Sequence, residues 1–262
     1  MKQVIRVGMI GCEDLPKWGG EKDFCKLLID LFEARTGLSS GKSLEVQWIP
    51  ISAISGTLPD EEELKNYDGF VMSGSHYSVE DNEPWMLRLQ EWVRKVKNYQ
   101  DNNNDKVPKI VAVCFSHQLV NKAFGGTVGQ NPQREFVWNA ENIQLTAEAR
   151  KHEFFNNNIE TLKDDFNLFE SHGECVLAIP PGAVKLASSH SCEYEIVGIG
   201  NNIITMQNHP EITAELMTER ILPSLKAKGL ISDETADKSI ASFKNGIDDE
   251  LFISMIKLFF AQ

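Results

Sequence analysis

Short apolar runs alternate with amphipathic stretches through the first half of the chain. Val4–Ile10 predicts a strand, although Arg6 interrupts it, and Asp23–Arg35 carries apolar residues at 24, 27, 28, 31 and 32, the spacing of one helix face. Leu44–Ile49 is strand-like, Asp60–Asn66 reads as a short acidic helix, and Gly69–Met72 as a buried strand. Pro84 suits the first turn of a helix whose apolar side is Trp85, Leu87, Leu89, Trp92, Val93 and Val96. An asparagine-rich loop is expected over Asp101–Asp105, then a strand over Lys109–Val113. Strands alternating with helices imply right-handed βαβ crossovers, and so an α/β fold with an open, mostly parallel twisted sheet and flanking helices.

The rhythm changes after Gly125 and Gly126. Thr127–Gly129, Phe136–Leu145, Asn167–Glu170, Val184–Ala187, Tyr194–Val197 and Ile203–Met206 read as strands joined by turns, notably Ile179–Gly182 and Gly200–Asn202. An antiparallel extension on the parallel core is the expectation. From Ile212 the pattern is helical again, with three candidate helices. No repeat or linker divides the chain, which predicts one domain over 1–262: a core over 1–212 and a helical extension over 213–262.

Length and composition suit a globular protein with a sizeable core, and the formal net charge of −12 argues against nucleic acid or anionic membrane as a partner. No stretch approaches a membrane span, and the N-terminal apolar run is too short for a signal sequence. The five cysteines form no C-x-x-C pair and are odd in number, which favours reduced thiols and a cytoplasmic location.

One of those cysteines has a special place. Cys114 sits where the Lys109–Val113 run stops and a helical run begins. A thiol on such a turn is displayed at the carboxyl edge of the sheet, with a helix amino terminus that favours a thiolate and a backbone N–H aimed at a developing oxyanion. Downstream, His209 and Glu211 supply a base and a carboxylate to orient it. Taken singly, each has a plainer reading: a buried core thiol, and a loop opening a helix. His117 and His172 compete with His209 for the role of base.

Four separated segments then carry a resemblance. Gly69–Ser75 (GFVMSGS), Val113–Gln118 (VCFSHQ), Ser171–Glu174 (SHGE) and Gln207–Glu211 (QNHPE) occur in the order found in class I glutamine amidotransferases, over about residues 5–212. The resemblance implies a flavodoxin-like sheet and a triad of Cys114, His209 and Glu211. It implies an oxyanion hole from the backbone of Gly74 and Phe115. Gln118, Ser171 and His172 would hold the amino-acid end of a γ-glutamyl group. The chain departs from the family's usual glycines at Ala112 and Ser116, from a common aromatic at Asn208, and from a common Asp at Glu174.

The implied reaction is hydrolysis of a γ-glutamyl amide through a thioester, with no cofactor and no metal. A looser similarity to plant γ-glutamyl peptidases, through the Ser-Gly-Ser loop and Asn82–Trp85 (NEPW), favours γ-glutamyl peptides or glutathione conjugates as substrates. Two alternatives stay open: a glutaminase that feeds ammonia to a separate synthetase chain, as in GMP synthesis, and a non-catalytic binding protein that keeps the scaffold.

Overall fold

The computed structural model describes residues 3–35, 44–56, 58–103, 106–156 and 162–262. In chain order the elements are β1 (Gln3–Gly11), α1 (Gly20–Ala34), β2 (Leu44–Ser52), α2 (Glu61–Leu64), β3 (Gly69–Met72), α3 (Pro84–Asn102), β4 (Lys109–Val113) and α4 (Phe115–Ala123). There follow β5 (Thr127–Gln130), β6 (Val137–Leu145), α5 (Glu153–Asn156), β7 (Asp165–His172), β8 (Glu174–Ala178), β9 (Val184–Ser188), β10 (Ile196–Ile199) and β11 (Ile203–Met206). The chain ends in α6 (Ala214–Leu216), a π-helical turn over Met217–Ile221, α7 (Leu222–Ala227), α8 (Asp233–Ser242) and α9 (Asp249–Phe260).

A nine-stranded sheet runs β2-β1-β3-β4-β11-β10-β9-β6-β7. Its first four pairings, from β2 to β11, are parallel, and the remaining four are antiparallel. β3, β4, β10 and β11 are buried along their whole length, which is why they read as unbroken apolar runs. Alternate residues serve opposite layers. Val7, Val111 and Val113 pack with Phe24 and Phe32 of α1 and with Phe252 and Phe259 of α9. Ile10, Ile110 and Ala112 pack on the other face with Leu89 and Val93 of α3 and Leu119 of α4.

The expected elements are found with shifted ends, and three differences have local causes. Asp101 and Asn102 belong to α3 rather than to a loop, held by an ion pair from Lys97 and by the Asn102 side chain bonding the Asn98 carbonyl at 2.8 Å. Positions 104 and 105 of that segment lie outside the described residues. β7 continues to His172 because β6 pairs with it out to Val137, so Ser171 and His172 are strand residues. β8 is an addition to the expected strands; its partner β5 forms a separate two-stranded sheet with it, and only Cys175 and Val176 of the strand are buried.

The C-terminal helix is tied into the core by polar as well as apolar contacts. Lys257, buried, donates to the carbonyls of Phe32 and Arg35 at 2.7 and 3.0 Å, and so places a cation at the carboxyl end of α1. Arg35 in turn bonds Asp249 at 2.9 Å. Phe260 packs where β3 begins: a Cβ on Gly69 would stand 2.1 Å from its ring and 3.0 Å from the Lys109 carbonyl. Gly69→Ala is therefore expected to destabilise the protein by about 1–3 kcal/mol through overpacking, read as a lower urea midpoint with an unchanged m-value.

Candidate active site

β4 and β11 lie side by side and parallel, with Ala112 opposite Thr205 and Val113 opposite Met206. Both strands therefore end at one edge of the sheet, and the turns that leave them meet there. The Cys114 N–H closes the junction by donating to the Met206 carbonyl at 2.8 Å. Cys114 has φ 50° and ψ −107°, a conformation unfavourable for a side chain with a Cβ and worth about 1–3 kcal/mol of strain. Its carbonyl accepts from the Gln118 N–H at 3.1 Å, which starts α4 immediately.

Ser116, standing where a glycine is usual, is wholly buried and donates its hydroxyl to the Ser73 carbonyl at 2.6 Å. The tie joins the Cys114 turn to the loop after β3, and adds a bond where a glycine would have none. Ala112 sits fully buried in β4 among the α3-side core residues.

His209 is delivered by a single bridge to β7, its N–H donating to the Phe169 carbonyl at 2.8 Å. Its Nδ1 lies 2.8 Å from Glu211 Oε1. Burial alone would depress the imidazole pKa, but the Glu211 carboxylate and the neighbouring Cys114 sulfur together raise it well above the ordinary value. Cys114, 7% exposed, also receives the Gln207 side-chain amide at 3.5 Å, and the Ser171 carbonyl lies 3.9 Å from its sulfur. The loop after β3 completes the enclosure: a Cβ on Gly74 would be 3.0 Å from His209 Cε1 and 3.5 Å from Cys114 Cβ. Phe115 opens α4, and first-turn amides have no partner within their helix.

The competing histidines are committed elsewhere. His117 is fully buried, bonds Thr205 Oγ1 at 2.7 Å, and is pushed down to about 3 by burial. His172 is pushed down to about 4 by burial and then by the charge of His209, and its Nε2 lies 3.3 Å from Ser191 Oγ. Ser171, His172 and Gln118 all line the same cavity as Cys114 and His209. Gln118 spends its side-chain amide on the Glu174 carbonyl at 2.8 Å and on Gln207 Oε1 at 3.1 Å, so it braces β8 against the turn after β11. Glu174 holds the loop after β3 by accepting from Ser78 at 2.8 Å.

Sequence reasoning assigned no role to Glu195 or Glu13. Glu195, fully buried, accepts from the Asn208 backbone N–H at 2.9 Å and from its side-chain amide at 2.8 Å. Asn208, in place of an aromatic, is thereby held through its two N–H groups one residue before His209. Glu170, also fully buried, lies beside Glu195, and each carboxyl shifts the titration of the other. Burial, then the charges of Glu195 and Glu141, raise the Glu170 carboxyl well above its ordinary range. Burial pushes Glu195 up to about 6 against the hydrogen bonds it receives. Both carboxyls therefore hold their protons to higher pH than an exposed glutamate does. Glu13 plays a similar part at the other wall, accepting from the Asp14, Leu15 and His76 amides and from the His76 ring. Ligand atoms of Glu13, Asp14 and His76 lie within 4.8 Å of one another, but these loop bonds already engage both Glu13 oxygens.

The family model for class-I glutamine amidotransferases matches residues 34–225. The chain belongs to that family. γ-Glutamyl peptidase 3 of Arabidopsis thaliana is 28% identical over 205 residues, covering 78% of each chain. A glutamine-hydrolysing GMP synthase subunit of Sulfolobus acidocaldarius is 29% identical over 171 residues, covering 64% of this chain and 80% of that one. A glutamine amidotransferase crystal structure from Thermotoga maritima superposes with a TM-score of 0.68 at 15% identity, covering 98% of this chain and 99% of that one, which shows the shared fold. Among the described residues no helix is long and apolar enough to cross a membrane.

The acid pair predicts a pH dependence. A carboxyl whose folded pKa is raised holds its proton more tightly in the native state, so stability falls as pH rises. For Glu195 the loss runs between the ordinary value of 4.5 and about 6, and for Glu170 it continues to higher pH. Glu170→Gln removes that titration while keeping the side chain's size, and is expected to flatten the decline above pH 6, measured as urea stability at pH 6, 7, 8 and 9.

Proposed function

We propose that this protein hydrolyses γ-glutamyl amide bonds through a γ-glutamyl thioester on Cys114, with γ-glutamyl peptides or conjugates rather than free glutamine as its substrates. The observation that carries the reading is the meeting of a strained, cavity-facing thiol with an imidazole that is itself bonded to a buried carboxylate. Sequence similarity to γ-glutamyl peptidases over most of both chains supports the choice of substrate class.

In this reading the Cys114 thiolate, paired with the His209 imidazolium, attacks the γ-carbonyl carbon. A carbon–sulfur bond forms, and the oxygen takes up negative charge beside the Gly74 and Phe115 amides. His209 then passes its proton to the nitrogen, the carbon–nitrogen bond breaks and the amine departs. Water enters, loses a proton to His209 and adds to the thioester carbonyl; the carbon–sulfur bond then breaks, which releases glutamate and restores the thiolate beside the imidazolium. Glu211 keeps the imidazole oriented and charged throughout. Gln118, Ser171 and His172 bound the end of the cavity that takes the glutamyl amino and carboxylate groups. Thiol, imidazole and water supply every group the steps require, so no cofactor is invoked. Five free cysteines, all buried, suit a reducing cytoplasm.

The ammonia-supplying reading rests on the likeness to the GMP synthase subunit. A release assay on glutamine, glutathione, a glutathione conjugate and γ-glutamyl dipeptides separates the two. Turnover of dipeptides or conjugates by the protein alone is expected, and its loss in Cys114→Ser with the fold intact. Hydrolysis of glutamine alone, and only with a synthetase chain added, would overturn the assignment.

Glu211→Gln is expected to lower kcat by about two to four orders of magnitude, with KM little changed. Because the carboxylate, together with the Cys114 sulfur, raises the His209 pKa against burial, its removal should also move the alkaline limb of kcat to lower pH, read from a pH–rate profile.

A further inference from the structure

The cavity at Cys114 is larger than the proposed chemistry requires. It encloses about 550 Å³, within the roughly 300–1,000 Å³ typical of sites that hold drug-sized ligands, whereas a γ-glutamyl group has a five-carbon skeleton. Its lining has two characters. Ser75, Gln118, Ser171 and Glu174 line it together with Cys114 and His209. So do apolar side chains, Trp18, Leu27 and Leu31 from the α1 side and Leu216, Ile221 and Leu225 from the C-terminal helices.

The direction of the reaction says which half of the substrate lies there. His209 must reach the departing nitrogen, so the amine half lies on the imidazole side of the sulfur. From that imidazole the chain runs on through Glu211 and Ile212, both on the cavity wall, into α6, the π-helical turn and α7, which contribute the apolar lining residues Leu216, Ile221 and Leu225.

The mouth of this channel holds two cations in a chain of net charge −12. Lys17 and Lys228 both line it, as does Glu13; burial lowers the Lys17 pKa, the Glu13 carboxylate opposes that, and the charge of Lys228 adds to the lowering. Lys17 bonds Ser224 at 3.1 Å and stands 5.1 Å above the Trp18 ring. Among the described residues no carboxylate forms an ion pair with either lysine.

We propose that the amine half of the substrate is an apolar, above all aromatic, amino acid or peptide with a free carboxylate. Its side chain fills the channel between α1 and α6–α7, and its carboxylate meets Lys17 and Lys228. The inference rests on the γ-glutamyl hydrolase reading and narrows its substrate class.

The test is a comparison of kcat/KM for γ-glutamylphenylalanine, γ-glutamylglycine and γ-glutamylphenylalanine carboxamide. The phenylalanine dipeptide should exceed the glycine one by about 10- to 100-fold, the effect of burying an aromatic side chain. The carboxamide should fall several-fold below the acid, and Lys17→Met with Lys228→Met should abolish that difference. Leu216→Glu, which puts a charge in the channel, should collapse the preference for phenylalanine over glycine. Equal kcat/KM for the two dipeptides would overturn the channel while leaving the hydrolase reading intact. Absence of turnover across the series would defeat the hydrolase reading, and calorimetry on Cys114→Ser then decides the channel separately. Tighter binding of γ-glutamylphenylalanine than of the glycine dipeptide, lost in Leu216→Glu, keeps it; no such difference ends it.

Discussion

The parallel pairing of β4 with β11 is the constraint on which the candidate site depends. Two fully buried strands run side by side in register and are capped by one backbone hydrogen bond from Cys114 to Met206. Side chains alternate across a sheet, so a slip of one residue would send the valines of β4 into the layer of α3 and carry the thiol away from the turn that holds His209. Burial on both faces makes such a slip costly, because each layer is already filled. Position at the sheet edge is thus a by-product of core packing, and the strain at Cys114 is carried by that packing.

Around this junction the polar support comes from buried groups that the chemistry itself does not use. Glu195 grips both amide groups of Asn208 and so fixes the residue before His209, while Ser116 and Glu13 fasten the loop that bears Gly74 from opposite sides. A buried carboxylate of this kind persists only when its lone pairs are satisfied. Ser189 meets part of the remaining demand, donating to Glu195 at 3.1 Å, and the burial that places the turn also raises the Glu170 carboxyl, at the expense of stability at alkaline pH.

The departures from the family's usual residues find local physical reasons here. Ser116 gains a bond to Ser73, and Asn208 is matched by Glu195. None of these changes touches the sulfur, the imidazole or its carboxylate. The far wall of the cavity, built from α1 and from the helices after Ile212, lies outside those motifs, and it is this wall that shapes the proposed substrate preference.

Much of the architecture was legible from the chain alone. Buried parallel strands must be apolar throughout, and their helices must be apolar on one side, so the order of elements in the first half follows directly from the hydrophobic pattern. The place of Cys114 at a strand end could be read from the chain, and the grouping of His209 and Glu211 with it was what the family resemblance implied. β8 was not, since only two of its residues are buried and its partner lies far back in the chain. Nor could the pattern show Glu195 or Glu170 as partners, or the cavity that joins α1 to α7. Those depend on distances between segments remote in sequence, which the tertiary packing alone decides; hydrophobic periodicity reports which face of an element is buried, not what it is buried against.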